Sequence, residues 1–186
     1  ACPGPGTPRR AAKIRRMKDT RPAARDPEPA ARRSADDQAR FEAGLAHMFE
    51  QRITFNAVLG LKVESLVPGD VRLRLPMKPD LVGHFAFGRL HGGAISATLD
   101  ALGGLALMVE LAERHPAETP EQVMHRFGRF GTIDLRVDYL RPGLGTHFVA
   151  RAEVTRLGGR VGSVQTRMVN QDGTLIATGS AAYVIA

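Results

Sequence analysis

Residues 90–111 read LHGGAISATLDALGGLALMVEL, and this stretch limits the folds open to the chain more than any other. It opens on His91-Gly92-Gly93 and continues at helical spacing with apolar residues on nearly every side, among them Ile95, Leu99, Leu102, Leu105, Leu107 and Val109. A helix that is apolar all round must be buried. Its polar interruptions argue against a membrane span, which calls for roughly 20 apolar residues in succession. Those interruptions carry information of their own. Ser96, Asp100, Gly103 and Gly104 recur three to four residues apart and so fall on one stripe of the helix. A glycine inside a helix costs on the order of 1 kcal/mol relative to alanine and is tolerated where something approaches the backbone closely. A charged Asp on an apolar helix needs a partner or a chemical task, because an unpaired buried charge is expensive. Two readings stand open for Asp100: a carboxylate satisfied by a neighbouring arginine or by backbone donors, or a working carboxylate in a site.

The segments around this helix change period. Ser34 can cap a helix whose first turn holds Asp36 and Asp37, and Phe41, Leu45, Met48 and Phe49 give it one apolar face up to about Arg52. Residues 55–66 are a candidate strand, and 71–75 a second, half-buried one beyond the Pro68-Gly69-Asp70 turn. Residues 81–90 read as a loop feeding the apolar helix, and 114–130 as a loop with a short helix at 121–125. Four strands follow at 132–140, 146–156, 161–169 and 175–184, joined by turns that include Leu157-Gly158-Gly159-Arg160 and Asn170-Gln171-Asp172-Gly173. The class is α+β. A curved antiparallel sheet wrapped about the long helix covers most of its surface, and a second copy of the chain covers the rest. Burial alone therefore predicts a homodimer or a dimer of dimers.

The net charge of +7 would hint at a nucleic-acid partner if it were spread over the fold. It is not. Residues 1–34 hold ten Lys and Arg against three acidic residues, so the remainder is balanced and predicts no nucleic-acid surface. That Pro-, Ala- and Arg-rich segment has no hydrophobic period and is expected to be a disordered tail ahead of a domain at 35–186. Met17 is a candidate native start, with an Arg-rich transit peptide as the alternative. No apolar run near the beginning resembles a secretory signal, and the single cysteine, Cys2, cannot form a disulfide within the chain. A cytoplasmic setting is the expectation. The six histidines (His47, His84, His91, His115, His125 and His147) form no metal-ligand spacing such as HExxH, so neither a metal nor a cofactor is expected.

Gly83, His84 and Gly88 followed by LHGGAISATLDALGG resemble the PaaI-like hotdog-fold thioesterases, most closely the medium- and long-chain acyl-CoA thioesterases of the YigI type. The resemblance spans about 49–184. An HGG with an Asp nine residues after the His, inside an apolar helix, is its most specific part. Thr132-Ile133-Asp134-Leu135 and Tyr139-Leu140-Arg141-Pro142 resemble the strand that follows the helix in that family. The resemblance implies a hotdog fold and hydrolysis of acyl-CoA thioesters, with medium- to long-chain or aromatic acyl groups. It implies Asp100 as general base or nucleophile, and Thr132 as the residue holding the water or the Asp. His84 stands where YigI-type relatives often carry Asn.

Thioester hydrolysis needs an activated nucleophile and donors for the oxyanion. A helix N-terminus has free N–H groups and partial positive charge, so Gly92 N–H is the candidate oxyanion donor with His91 beside it. Gly93 and His84 are candidate substrate contacts. Arg156 and Arg160, flanking the Gly158-Gly159 turn, are candidates for the CoA phosphates. Gly92 and Asp100 lie roughly 12 Å apart along one helix at 1.5 Å per residue. One thioester carbon cannot touch both, so if both act on it they come from different subunits, and each dimer carries two composite sites.

Two rivals share the fold. Gly83-His84-Phe85 resembles the start of the dehydratases that act on acyl carrier protein substrates, but their helix carries a Glu where this chain has Thr98, and Ala86 breaks the rest of the motif. A non-catalytic acyl-CoA-binding protein is the other, and the presence of Asp100 argues for catalysis over it.

Overall fold

The computed structural model describes residues 32–185. The tail expected at 1–34 lies outside these except for its last three positions. Two of those are docked on the fold. The Arg33 guanidinium donates to the carbonyls of Ala112 (3.0 Å), His115 (2.8 Å) and Glu118 (3.3 Å), which satisfies acceptors that the end of a long helix leaves unpaired. Ser34 caps helix α1 (Ala35–His47) by accepting from Asp37 N–H, with Asp36 and Asp37 in the first turn. Phe41 and Leu45 face inward.

The chain then departs from the sequence reading. A wider helical turn at Met48–Arg52 leads into a second short helix, α2 (Thr54–Leu59), where a strand was expected to have begun at 55. Gly60 ends α2 in the left-handed conformation (φ 78°), the usual role of a glycine just past a helix. Strand β1 (Lys62–Val67) starts only after it. The apolar residues Phe55, Val58 and Leu59 stand at i, i+3 and i+4, a helical spacing that the strand reading passed over in so short a run. Strand β2 (Asp70–Pro76) follows, and the expected loop at 81–90 contains a small hairpin of β3 (Val82–His84) and β4 (Arg89–Leu90).

The long apolar stretch is helix α3 (Gly92–Arg114). Helix α4 (Pro120–Arg126) follows, opened by a reciprocal cap between Thr119 and Gln122. The last four strands are β5 (Gly131–Tyr139), β6 (His147–Leu157), β7 (Val161–Asn170) and β8 (Leu175–Val184). The main sheet is antiparallel in the order β1-β2-β6-β7-β8-β5, and α3 touches all six strands. This is the wrapped central helix of a hotdog fold. By length and composition α3 would be able to cross a bilayer, so its polar interruptions do not decide the matter. What decides it is that Leu99, Leu102, Leu105 and Leu107 are fully buried against the sheet.

Small residues let helix and sheet come close. A Cβ on Gly162 of β7 would stand 2.5 Å from Leu107 Cδ2, and one on Gly179 of β8 would stand 2.7 Å from Thr166 Oγ1. Gly162→Ala therefore overfills a sealed layer and is expected to cost about 1–3 kcal/mol, read as a lowered denaturation midpoint at constant slope. A change of less than about 0.5 kcal/mol would mean that the helix rides freely over the sheet.

Gly103 and Gly104 do not share a stripe. Gly103 faces the sheet, where a Cβ would strike the Tyr183 hydroxyl and come within 2.9 Å of Val164 Cγ2. Ser96, Ala97, Asp100, Ala101 and Gly104 form the half-buried side of α3. One chain thus leaves one stripe of its core helix partly open. Strand β5, paired among the described residues only with β8, also leaves a free edge, with Ile133 and Tyr139 more than half exposed.

Candidate active site

Asp100 sits midway along the open stripe. Thr132 and Tyr183 are directly opposed partners on β5 and β8, and both side chains reach it. Thr132 Oγ1 donates to Asp100 Oδ1 at 2.8 Å. The Tyr183 hydroxyl lies 2.8 Å from the Asp100 backbone carbonyl and 3.2 Å from the same Oδ1. The register of β5 slips just after Thr132, between Thr132 and Asp134. Such a bulge re-aims a side chain at the rim of a site. None of the ion pairs among the described residues involves Asp100. Of the two readings left open by the sequence, the arginine partner is therefore not the one seen. One carboxylate oxygen takes two hydroxyl donors, and Oδ2 has no hydrogen-bond partner among the described residues.

That arrangement borders a pocket of about 260 Å³ whose walls include Phe49, Ile53, Phe55, Met108 and Phe130, with Asp100, Thr132, Tyr183 and Asn56 as its polar side chains. An apolar chamber with a few convergent polar groups is the usual form of a small-molecule site. Burial pushes the Tyr183 phenol far above its ordinary value of 10.0, and the neighbouring Asp100 charge adds to this. Tyr183 is therefore a hydrogen-bond donor at any working pH. The folded chain keeps this proton while the unfolded chain releases it above pH 10, so the stabilisation is whole below pH 10 and declines as pH rises past it. Denaturation from about pH 9 to 11 is expected to show the parent losing more stability than Tyr183→Phe. Parallel curves would mean that the phenol titrates normally.

A second cluster stands at the start of α3. His91 is its N-cap residue, and His91 Nδ1 accepts the Gly93 N–H at 2.9 Å. The imidazole proton is then on Nε2, facing away from the helix. Gly93 N–H is spent on this bond and is not free for substrate. Gly92 N–H has no partner among the described residues, while the Gly92 carbonyl accepts from the Tyr139 hydroxyl at 3.1 Å. The Tyr139 ring lies over Gly92, leaving 3.3 Å to an added Cβ. Gly83 lets β3 pass close by, since a Cβ there would stand 2.7 Å from His91 Cα. A free N–H at the positive end of a 23-residue helix, with an N–H donor beside it, is equipped to receive an oxyanion.

The remaining sequence candidates lie elsewhere. His84 is exposed on β3, stacked on Phe85 and tilted against Phe87 with ring centres 5.7 Å and 4.7 Å away, and hydrogen-bonds to neither cluster. Arg156 and Arg160 are exposed on the β6–β7 hairpin, by the opposite end of α3 from His91. The hairpin tip there joins Arg114, His125, Arg126 and Arg129 in lining a cleft of about 830 Å³. Asp100 and Thr132 are thus brought together, and so are His91, Gly92 and Gly93. The two groups stay roughly 12 Å apart on one helix. Sequence reasoning missed Tyr183, Tyr139 and Asn56. The first two are tied to the site through strand register, and the third lies on a helix read as strand, where the Gly60 cap was the available signal.

Residues 87–177 match the model of the thioesterase superfamily. The medium/long-chain acyl-CoA thioesterase YigI of Salmonella typhimurium is 36% identical over 141 residues, covering 76% of this chain and 91% of that protein. Its Escherichia coli K12 counterpart is 35% identical over the same length. Among solved structures, a Shewanella oneidensis protein related to the thioesterase superfamily superposes with a TM-score of 0.75 at 36% identity, over 80% of this chain and 97% of the other. The phenylacetic acid degradation protein PaaI of Thermus thermophilus gives 0.56 at 25% identity, over 72% and 99%.

Proposed function

Since this chain belongs to the thioesterase superfamily, we propose that it hydrolyses acyl-CoA thioesters to the free acid and CoA, at sites shared between the two chains of a dimer. The observation that carries this reading is the half-used Asp100 carboxylate. Oδ1 is pinned by Thr132 and Tyr183, and Oδ2 is left unpaired beside an apolar pocket. Water attacks the thioester carbon as its proton passes to Asp100. The carbonyl electron pair moves onto oxygen, where the partner chain's helix N-terminus receives it through the amide of Gly92, with His91 Nε2–H alongside. Collapse of this intermediate breaks the C–S bond, and Asp100 returns the proton to the departing sulfur. Asp100 acting as the nucleophile would use the same free oxygen.

Medium- to long-chain or aromatic acyl groups suit the walls of Phe49, Ile53, Met108 and Phe130, and the phosphates of CoA suit Arg156 and Arg160. Two features favour assembly. The open stripe of α3 needs a cover, and the unpaired edge of β5 is a template for a second copy. The single cysteine agrees with a cytoplasmic setting. The test is release of free CoA, followed with a thiol reagent across acyl-CoAs of graded length. Turnover on medium and long chains is expected. Absence of release at every length would overturn the reading.

A further inference from the structure

Helix α2 turns its residues the wrong way round for simple packing. Phe55 and Val58 are 59% and 62% exposed, while Asn56 between them is 4% exposed. The Asn56 backbone is held fast, its carbonyl accepting from Gly60 N–H (2.9 Å) and Leu61 N–H (3.1 Å). The side chain has no such tie. Asn56 Nδ2 is sealed from bulk solvent without a hydrogen-bond partner. Buried amides are nearly always paired, so an orphan calls for an explanation. The other orphan among the described residues, Thr166 Oγ1, lies under Gly179 between helix and sheet and borders no pocket described here. Asn56 lines the chamber that holds Asp100. There Thr132 and Tyr183 are already committed to Asp100, and beside the free Asp100 Oδ2 it is Asn56 that keeps unspent hydrogen-bonding capacity.

We propose that Asn56 is a positioning residue that holds the attacking water against Asp100. The inference rests on the hydrolytic reading above. A water donating only to Asp100 Oδ2 would pivot about that single bond. Accepting from the Asn56 amide as well fixes one lone pair and leaves the other aimed at the thioester carbon. In the step itself the O–C bond forms, the carbonyl pair moves to oxygen, and the water proton goes to Asp100.

The test compares Asn56→Leu, Asn56→Asp and Asp100→Asn with the parent by steady-state CoA release and thermal melting. Asn56→Leu keeps the branched heavy-atom outline and removes the orphan amide, so its melting temperature should stay close to the parent's. Its kcat should fall by about 30- to 100-fold, with KM within about twofold. Asn56→Asp sets a second carboxylate near Asp100 and should raise the acid limb of the kcat/KM profile by about one pH unit. A purely structural residue would leave kcat unmoved in the folded Asn56→Leu protein, and a residue that only shapes the acyl pocket would move KM instead. An Asn56→Leu protein with kcat within threefold of the parent overturns the proposal. Should that variant not fold, an unmoved acid limb in Asn56→Asp overturns it as well. An inactive Asp100→Asn beside a fully active Asn56→Leu sinks this inference alone, whereas an active Asp100→Asn sinks the hydrolytic reading and this one with it.

Discussion

Asp100→Asn is expected to leave a folded protein whose CoA release falls by about three orders of magnitude, within the range set by removing a general base. The substitution suits the local geometry. An amide oxygen in place of Oδ1 still accepts from Thr132 Oγ1 and Tyr183 OH, at 2.8 Å and 3.2 Å in the parent. The change falls on Oδ2, where an NH2 group can neither take a proton from water nor attack a carbonyl. Melting temperature should stay within a few degrees of the parent, which separates loss of chemistry from loss of fold. Equal CoA release by the two proteins would remove Asp100 from the mechanism, whatever its hydrogen bonds.

The second large effect is a recovery. Asp100→Asn chains and Gly92→Pro chains should each be inactive alone. Proline at the first position of a helix is tolerated because the N–H it removes has no helical partner; here that N–H is the proposed oxyanion donor. If each site takes Asp100 from one chain and Gly92 from the other, a mixed dimer holds one intact site and one doubly broken one. Random remixing in equal amounts makes half the dimers mixed, so about a quarter of parental activity should return. Mixing is verified separately, by mass or by a tag on one chain. Persistent inactivity in proven mixed dimers would refute shared sites, as would a parent that sediments as an active monomer. Because Tyr139 leaves only 3.3 Å to a Cβ on Gly92, Gly92→Ala serves as the control: it crowds the same ring but keeps the N–H.

The parts of the site that lie on α3 were legible in the sequence because helical spacing fixes them. His91, Gly92 and Asp100 are placed by a 1.5 Å rise and nothing else. Thr132 was legible only through resemblance. Its meeting with Asp100 depends on a bulge that residue types do not announce. Tyr183 was not legible, since what brings it to Asp100 is its pairing opposite Thr132 across 51 positions of chain. Asn56 was hidden by a misread element. Phe55, Val58 and Leu59 stand at i, i+3 and i+4, a helical spacing, and the left-handed Gly60 that ends the helix could have corrected the strand reading. The four C-terminal strands were recovered within about a residue at each end, because their turns carry Gly, Pro, Asn and Asp in strong combinations. Arg33 shows the limit of composition. Counted as one more charge in a basic segment, it in fact closes the far end of the central helix.

Gly103 has a consequence beyond packing. The helix sits low enough on the sheet at that turn for one phenol to reach past the backbone to both the carbonyl and the carboxylate of Asp100. A methyl group added there would lift the helix by its own thickness and unseat that phenol, so mechanical fit and acid–base chemistry are decided by the same hydrogen atom.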